Sequence, residues 1–198
     1  MTLSNKLTLS RICLTPLFFL AWFVPIHLEY APRFGTVALW VLFLLSEITD
    51  IQDGRLARRL GQVSDTGKLL DPFSDIFLRI TYFVCFMGAD LMPIWILIII
   101  LWRELSITFI RMLLLREGVV LAASKAGKLK AVLYAVSGFW GLFILSVRAW
   151  FARAEWLNHA ERASTILFII AAFVSLISFI DHFRYYMKTN AYQKLSSE

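Results

Sequence analysis

Six apolar runs, each about as long as a membrane span, dominate this chain of 198 residues. One helical crossing of a bilayer requires roughly 20 residues that are mostly apolar. Hydrophobic residues make up 59% of the sequence, whereas soluble domains lie nearer to half, so little chain remains for a separate soluble unit. The sequence predicts one all-α integral membrane domain over residues 1–198, with six transmembrane helices near 13–28, 36–59, 68–89, 93–116, 126–148 and 162–186.

The segment before the first run has a different character. Residues 1–12 mix polar and apolar positions, which predicts a short N-terminal interfacial helix ahead of the first span. Pro16 and Pro25 lie within or near the ends of that span, and proline kinks or breaks a helix because it lacks a backbone N–H. No convincing signal-peptide cleavage site follows the run, so we expect the first span to be retained.

Basic residues collect at alternate ends of the apolar runs, and the net charge of the chain is +6. The larger group includes Lys6, Arg58, Arg116 and Lys125, and the smaller group lies around Arg148. The positive-inside rule therefore predicts that both termini and the segment 50–75 face the cytoplasm, in the inner (cytoplasmic) membrane of the cell. The basic excess suits the anionic headgroups of membrane lipids, and we expect no nucleic-acid partner.

Four aspartates punctuate the segment between the second and third runs. Asp50 and Asp53 share one helix face, and Asp71 and Asp75 share a face of the next helix, because positions three or four apart lie on the same side. Carboxylates at membrane depth are costly without a partner, and their hard oxygens suit Mg²⁺ or Mn²⁺. We expect a site for two divalent ions, an arrangement suited to phosphoryl transfer. Asp75 ends the array and is the candidate proton acceptor.

Small residues accompany these carboxylates. Gly54 and Ala57 follow Asp53 on its helix face, and Gly67 lies one turn before Asp71, so a ligand would not be obstructed there. Arg58 lies one step round the helix, within reach of a phosphate. The alternative is a solvated loop in which the aspartates pair with nearby arginines and lysines. Fixed helical spacing beside small residues favours a functional site.

The pattern D-x2-D-G-x2-A-R-x8-G-x3-D-x3-D is matched at every fixed position. It resembles the signature of the CDP-alcohol phosphatidyltransferase family. The resemblance implies a six-span enzyme, often homodimeric, whose cytoplasmic active site uses Mg²⁺ or Mn²⁺. Such an enzyme displaces CMP from CDP-diacylglycerol, or another CDP-alcohol, with a small alcohol substrate. It also implies metal ligation by Asp50, Asp53, Asp71 and Asp75, with Asp75 shared with the base role, and nucleotide contacts from Gly54, Ala57, Arg58 and Gly67.

Three further stretches bear on the choice of alcohol. The segment 5–11 (N-K-L-T-L-S-R), Arg103-Glu104 with Arg111, and G-K-L-K at 127–130 resemble phosphatidylglycerophosphate synthases. Arg103 and Arg111 share a helix face. With Lys128 and Lys130 they predict a cationic pocket for an alcohol that carries phosphate, such as glycerol 3-phosphate, and Glu104 could neutralise one arginine. For the two lysines, ordinary anchoring at the membrane surface stays open.

Departures from the subfamily pattern keep other acceptors open. Ser74, Ile76 and Ala131 replace the alanine, lysine and threonine that are usual in phosphatidylglycerophosphate synthases. Choline or ethanolamine phosphotransferases acting on diacylglycerol, and phosphatidylinositol-phosphate or phosphatidylserine synthases, are the alternatives. A transporter or channel would spread its carboxylates over several depths, which the clustering at one end disfavours. No catalytic role is assigned to His27, His159 or His182.

Overall fold

The computed structural model describes residues 3–60, 65–116, 118–119, 124–151 and 155–188, and the side chains of 3–8 and 50–71 lie outside this description. The described residues form helices and connecting turns, with no strand among them. The helices are α1 (Leu3–Trp22), α2 (Pro32–Leu60), α3 (Asp65–Gly88), α4 (Ile94–Arg116), α5 (Lys125–Trp150) and α6 (Leu157–Met187). The all-α prediction is confirmed for this part of the chain.

Four of the described helical segments are long and apolar enough to cross a membrane: Leu9–His27, Pro32–Thr49, Lys125–Trp150 and Leu157–Met187. Large apolar side chains also point outward, for example Trp102 with 67% and Phe173 with 64% of their surface exposed. Such outward faces suit contact with lipid. The helices therefore fit a multi-pass membrane protein, whereas the count of six crossings and the cytoplasmic orientation stay predictions.

The first helix differs from the expectation. A separate interfacial helix over residues 1–12 was predicted, but α1 runs unbroken from Leu3 to Trp22. No proline or glycine interrupts it before Pro16, so nothing local ends the helix there. Of the two prolines named for this span, Pro25 lies within a π-helical turn over Phe23–His27, and Pro16 lies inside the α-helix. The backbone N–H of Leu28 donates to the carbonyl of Phe23 at 3.0 Å. A hydrogen bond between residues five positions apart is typical of a π-turn.

Helix α3 lies at the centre of the packing. It contacts α1, α4 and α5, while α6 packs on α4 and α5. The ring of Tyr82 on α3 lies 6.3 Å from Phe18 of α1 and 6.1 Å from Phe43 of α2, between ring centroids. One residue later, Phe83 lies 5.2 Å from Tyr134 of α5. This aromatic core holds the helix that carries Asp71 and Asp75 against three neighbours, α1, α2 and α5.

Candidate active site

A cavity of about 190 Å³ lies between α3, α4, α5 and α6. Asp75, the predicted proton acceptor, lines it together with three of the predicted acceptor-phosphate ligands, which are Arg103, Arg111 and Lys130. These four residues, which belong to α3, α4 and α5, thus share one space. Lys128, the fourth predicted ligand, is exposed and does not line the cavity.

Asp75 is held by an arginine from another helix. Its carboxylate forms an ion pair with the guanidinium of Arg11 on α1. Arg11 is almost fully buried, with 1% of its surface exposed, while 30% of the Asp75 side chain is exposed. A buried charge is tolerated only with a partner, so the pair orients the carboxylate at the cavity wall. From the sequence, Arg11 was noted only as the last residue of the segment 5–11, and its contact with Asp75 was not predicted.

Arg103 is fixed by a set of hydrogen bonds that ties α4 to α6. Its Nη1 donates to Oε1 of Glu104 at 2.9 Å, and its Nη2 donates to Oγ of Ser178 at 2.9 Å. Its Nε donates to the carbonyl of Ser175 at 3.3 Å. Arg103 is 5% exposed, and these three bonds give an arginine deep in an apolar helix a defined orientation while two of its five N–H donors are not used by them.

Glu104 serves two cations rather than the single arginine that was expected. The ammonium group of Lys130 donates to the same Oε1 of Glu104 at 2.8 Å. Lys130 also lies over the ring of Tyr134, 4.9 Å from its centroid, and the hydroxyl of Tyr134 donates to Oγ of Ser175 at 2.9 Å. The arrangement locks Lys130 in place and leaves the cavity with more positive than negative groups, because Arg111 also lines it.

Two further residues line the cavity without having been assigned to a site from the sequence. They are Arg79 and His182, and His182 was given no catalytic role. Nδ1 of His182 lies 2.6 Å from the carbonyl oxygen of Ser178. No motif marks His182. The signal in the sequence is its spacing of four from Ser178 on one helix face, which by itself does not distinguish a site from packing.

Most of the predicted metal and nucleotide ligands fall where side chains are not described. The backbone at these positions is helical, in α2 and α3, as the spacing argument required. Whether the carboxylates converge stays a prediction, since the following residues lie outside the described side chains: Asp50, Asp53, Gly54, Ala57, Arg58, Gly67 and Asp71.

Comparison with known proteins identifies the family. The family model for CDP-alcohol phosphatidyltransferase matches residues 1–177. The chain belongs to the CDP-alcohol phosphatidyltransferase family. The prediction from the aspartate motif is therefore confirmed, and the chain is a transferase of phospholipid biosynthesis.

Individual relatives of this phosphatidyltransferase carry names that bear on the acceptor. The CDP-diacylglycerol–glycerol-3-phosphate 3-phosphatidyltransferase of Treponema pallidum (strain Nichols) is 31% identical over 153 residues, which are 77% of this chain and 71% of the relative. A protein of the same name from Bacillus subtilis (strain 168) is 38% identical over 134 residues, 65% and 69% of the two chains. A cardiolipin synthase (CMP-forming) from Streptomyces coelicolor is 32% identical over 122 residues, 60% and 54% of the two chains.

Proposed function

We propose that this enzyme transfers the phosphatidyl group of CDP-diacylglycerol to glycerol 3-phosphate and releases CMP. The cavity carries the proposal, because it joins one carboxylate, Asp75, to the cations Arg103, Arg111 and Lys130. Glycerol 3-phosphate has a nucleophilic hydroxyl at one end and a phosphate at the other. Arginine and lysine donors suit the phosphate, and the names of two relatives describe this reaction.

The proposed reaction uses Asp75 as the proton acceptor. As the C1 hydroxyl loses its proton to Asp75, its oxygen forms a bond to the β-phosphorus of CDP-diacylglycerol. The bond from that phosphorus to the bridging oxygen breaks, and CMP leaves with the electron pair, so that phosphatidylglycerophosphate is formed. Arg103 and Lys130, with their orientations fixed by Glu104, would hold the acceptor phosphate, and thereby the hydroxyl, in position.

We further propose that Asp50, Asp53, Asp71 and Asp75 hold two Mg²⁺ or Mn²⁺ ions. The donor set fits these metals, since it consists of carboxylates without soft ligands. Two aspartates belong to α2 and two to α3, and both helices pack on α1. When bound, the ions would neutralise the pyrophosphate and stabilise the leaving group. Gly54, Ala57, Arg58 and Gly67 would contact the nucleotide, at the cytoplasmic end of six spans.

The acceptor is tested by offering alternatives to one preparation. The purified enzyme, in mixed micelles with Mn²⁺ and CDP-diacylglycerol, receives glycerol 3-phosphate, inositol phosphate, serine or phosphatidylglycerol. CDP-choline and CDP-ethanolamine are each tested with diacylglycerol as acceptor. CMP release is followed, and the lipid product is identified by mass spectrometry. We expect release with glycerol 3-phosphate.

Each other outcome contradicts a definite part of the proposal. Release only with phosphatidylglycerol would replace it by cardiolipin formation, the activity in the name of the Streptomyces relative. Release only with another pair would move the enzyme to that branch of the family. If no pair of donor and acceptor leads to CMP release, the transferase reaction itself is rejected, and the transporter alternative is favoured.

A further inference from the structure

His182 is a buried cavity residue that the proposed reaction does not use. It is 6% exposed and lines the cavity near the C-terminal end of α6. Its Nδ1 lies 2.6 Å from the carbonyl oxygen of Ser178. A carbonyl oxygen can only accept a hydrogen bond, so Nδ1 carries the hydrogen and donates it. In the neutral ring, Nε2 on the opposite edge is then a hydrogen-bond acceptor.

The neighbouring groups on the cavity wall differ from Nε2 of His182 in their hydrogen-bonding capacity. Arg103, Arg111 and Lys130 supply only donors. Oε1 of Glu104 already accepts from two of them. Oγ of Ser178 accepts from Arg103 and lies 3.5 Å from Nδ1 of His182, so the imidazole stands beside the cationic group. Nε2 is thus an uncharged acceptor on a ring that lines the same cavity as the groups proposed to bind the acceptor phosphate.

Glycerol 3-phosphate presents three polar groups to such a cavity. In the proposed function, the C1 hydroxyl faces Asp75 and the phosphate faces the cations. The middle hydroxyl lies between these ends and loses its water when the substrate enters. A hydroxyl that is desolvated without a new partner costs binding energy, so an acceptor at this position favours the alcohol that carries it.

We propose that Nε2 of His182 accepts a hydrogen bond from the middle hydroxyl of the acceptor, which makes His182 a specificity-determining residue. This inference rests on the proposed function, because it assumes that glycerol 3-phosphate is the acceptor. It assigns selection for the second hydroxyl to α6, whereas the phosphate is selected by α4 and α5.

The test combines changes in the enzyme with a change in the substrate. The second acceptor is 3-hydroxypropyl phosphate, which has the attacking hydroxyl and the phosphate but lacks the middle hydroxyl. Initial rates of CMP release at pH 8, where an ordinary imidazole is neutral, give kcat/KM for the wild type, His182→Asn and His182→Gln. Asparagine can keep the donor to Ser178 but ends short of Nε2, and glutamine can place an amide oxygen near Nε2. His159→Asn is the control, since His159 is exposed and lies at the opposite end of α6.

We expect the wild type and His159→Asn to prefer glycerol 3-phosphate roughly tenfold or more, the effect of one hydrogen bond. His182→Asn should lose most of this preference, because its kcat/KM falls for glycerol 3-phosphate but not for 3-hydroxypropyl phosphate. His182→Gln should keep part of the preference. This non-additivity is the sign of a direct contact between the ring and the hydroxyl.

Three results would overturn the inference. Equal use of both acceptors by the wild type would do so without any variant. If His182→Asn discriminates between the acceptors as the wild type does, Nε2 does not contact the middle hydroxyl. If kcat/KM falls equally with both acceptors, His182 instead contributes to phosphate binding or to packing near Gly127. If the wild type does not turn over glycerol 3-phosphate at all, the proposed function fails instead, and the acceptor comparison described above shows this separately.

Discussion

The ion pair between Arg11 and Asp75 links positions that are 64 residues apart. Burying two charges is costly, and their attraction repays the cost only with good geometry. Arg11 at 1% exposure therefore acts as a fixed support for the carboxylate. Because Asp75 stands between this support and the cavity, the role of its carboxylate can be tested with an isosteric change.

Asp75→Asn should keep the fold and lose turnover. The amide has nearly the same shape but does not accept the proton of the acceptor hydroxyl, and general-base catalysis contributes about 10²–10⁴-fold. We expect kcat to fall by roughly this factor. The melting temperature in detergent should fall modestly without loss of the fold, because Arg11 loses a charged partner but can still donate to the amide oxygen. Asp90→Asn is the control, since Asp90 is exposed in the turn after α3. Near-normal CMP release by the purified Asp75→Asn enzyme would remove Asp75 from the mechanism.

Lys128 and Lys130 form a matched pair for the acceptor pocket. Lys130 contacts Glu104 and lines the cavity. Lys128 lies two residues earlier on the same helix and is exposed. A hydrogen bond to a charged group contributes about 1.5–3 kcal/mol. Lys130→Met should therefore raise the KM for glycerol 3-phosphate by roughly ten- to a hundredfold, and Lys128→Met should leave it unchanged. Equal effects of the two substitutions would favour the membrane-anchoring explanation for both lysines.

At the scale of helices, α5 approaches α3 through glycine. A Cβ atom built on Gly141 would lie 2.6 Å from the ring of Phe86, closer than real contacts allow. The Cβ of an alanine at Gly138 would lie 3.1 Å from the ring of Phe43, a contact that a small shift can relieve. Small residues of this kind let membrane helices pack closely.

Gly141→Ala should consequently destabilise the bundle more than Gly138→Ala. Overpacking a tight core costs about 1–3 kcal/mol, because the ring of Phe86 is fully buried and has little room to move. Unfolding of the two variants in mild detergent, followed by tryptophan fluorescence, measures the difference. A Gly141→Ala variant as stable as the wild type would mean that α3 and α5 do not approach this closely.

The sequence predicted the helices better in their apolar centres than at their ends. The fourth predicted span, 93–116, agrees with Ile94–Arg116, but the sixth was placed at 162–186 and α6 runs over Leu157–Met187. Arg162 and the acidic residue before it were interpreted as loop charges. Charge marks where a helix leaves the lipid, whereas the helix itself continues as long as its backbone hydrogen bonds are made internally.

At the scale of the molecule, the candidate site could be predicted only in part. Helical spacing brought out Arg103 and Arg111 because they lie on one helix. The contact of Glu104 with Lys130 depends on how α4 meets α5, and the place of His182 depends on how α6 meets both. Sequence spacing contains no information on such packing between helices, so these contacts required the structure.

The charged residues of the site also lower the apolar character of the helices that carry them, so these helices are harder to identify as membrane spans. α4 is not among the four apolar segments, and it carries Arg103, Glu104 and Arg111. The bonds of Arg103 to α6 show how such a helix satisfies buried polar groups inside a bundle. Ionisable residues that face the bundle interior are typical of functional sites in membranes. We therefore expect α3 and α4 to cross the membrane in spite of their charge.

A topology with six crossings and one with four differ in the side of the membrane on which the turn between α3 and α4 lies. With six, Ile94 at the start of α4 lies outside, as Tyr30 does, and Lys188 lies in the cytoplasm. Single cysteines at these three exposed positions, in a background with Cys13 and Cys85 replaced by serine, are treated with a membrane-impermeant maleimide on spheroplasts. We expect Tyr30→Cys and Ile94→Cys to react directly and Lys188→Cys to react only after permeabilisation. If Ile94→Cys also requires permeabilisation while Tyr30→Cys does not, α3 and α4 do not cross the membrane, and the cavity between α3, α4, α5 and α6 could not form as described.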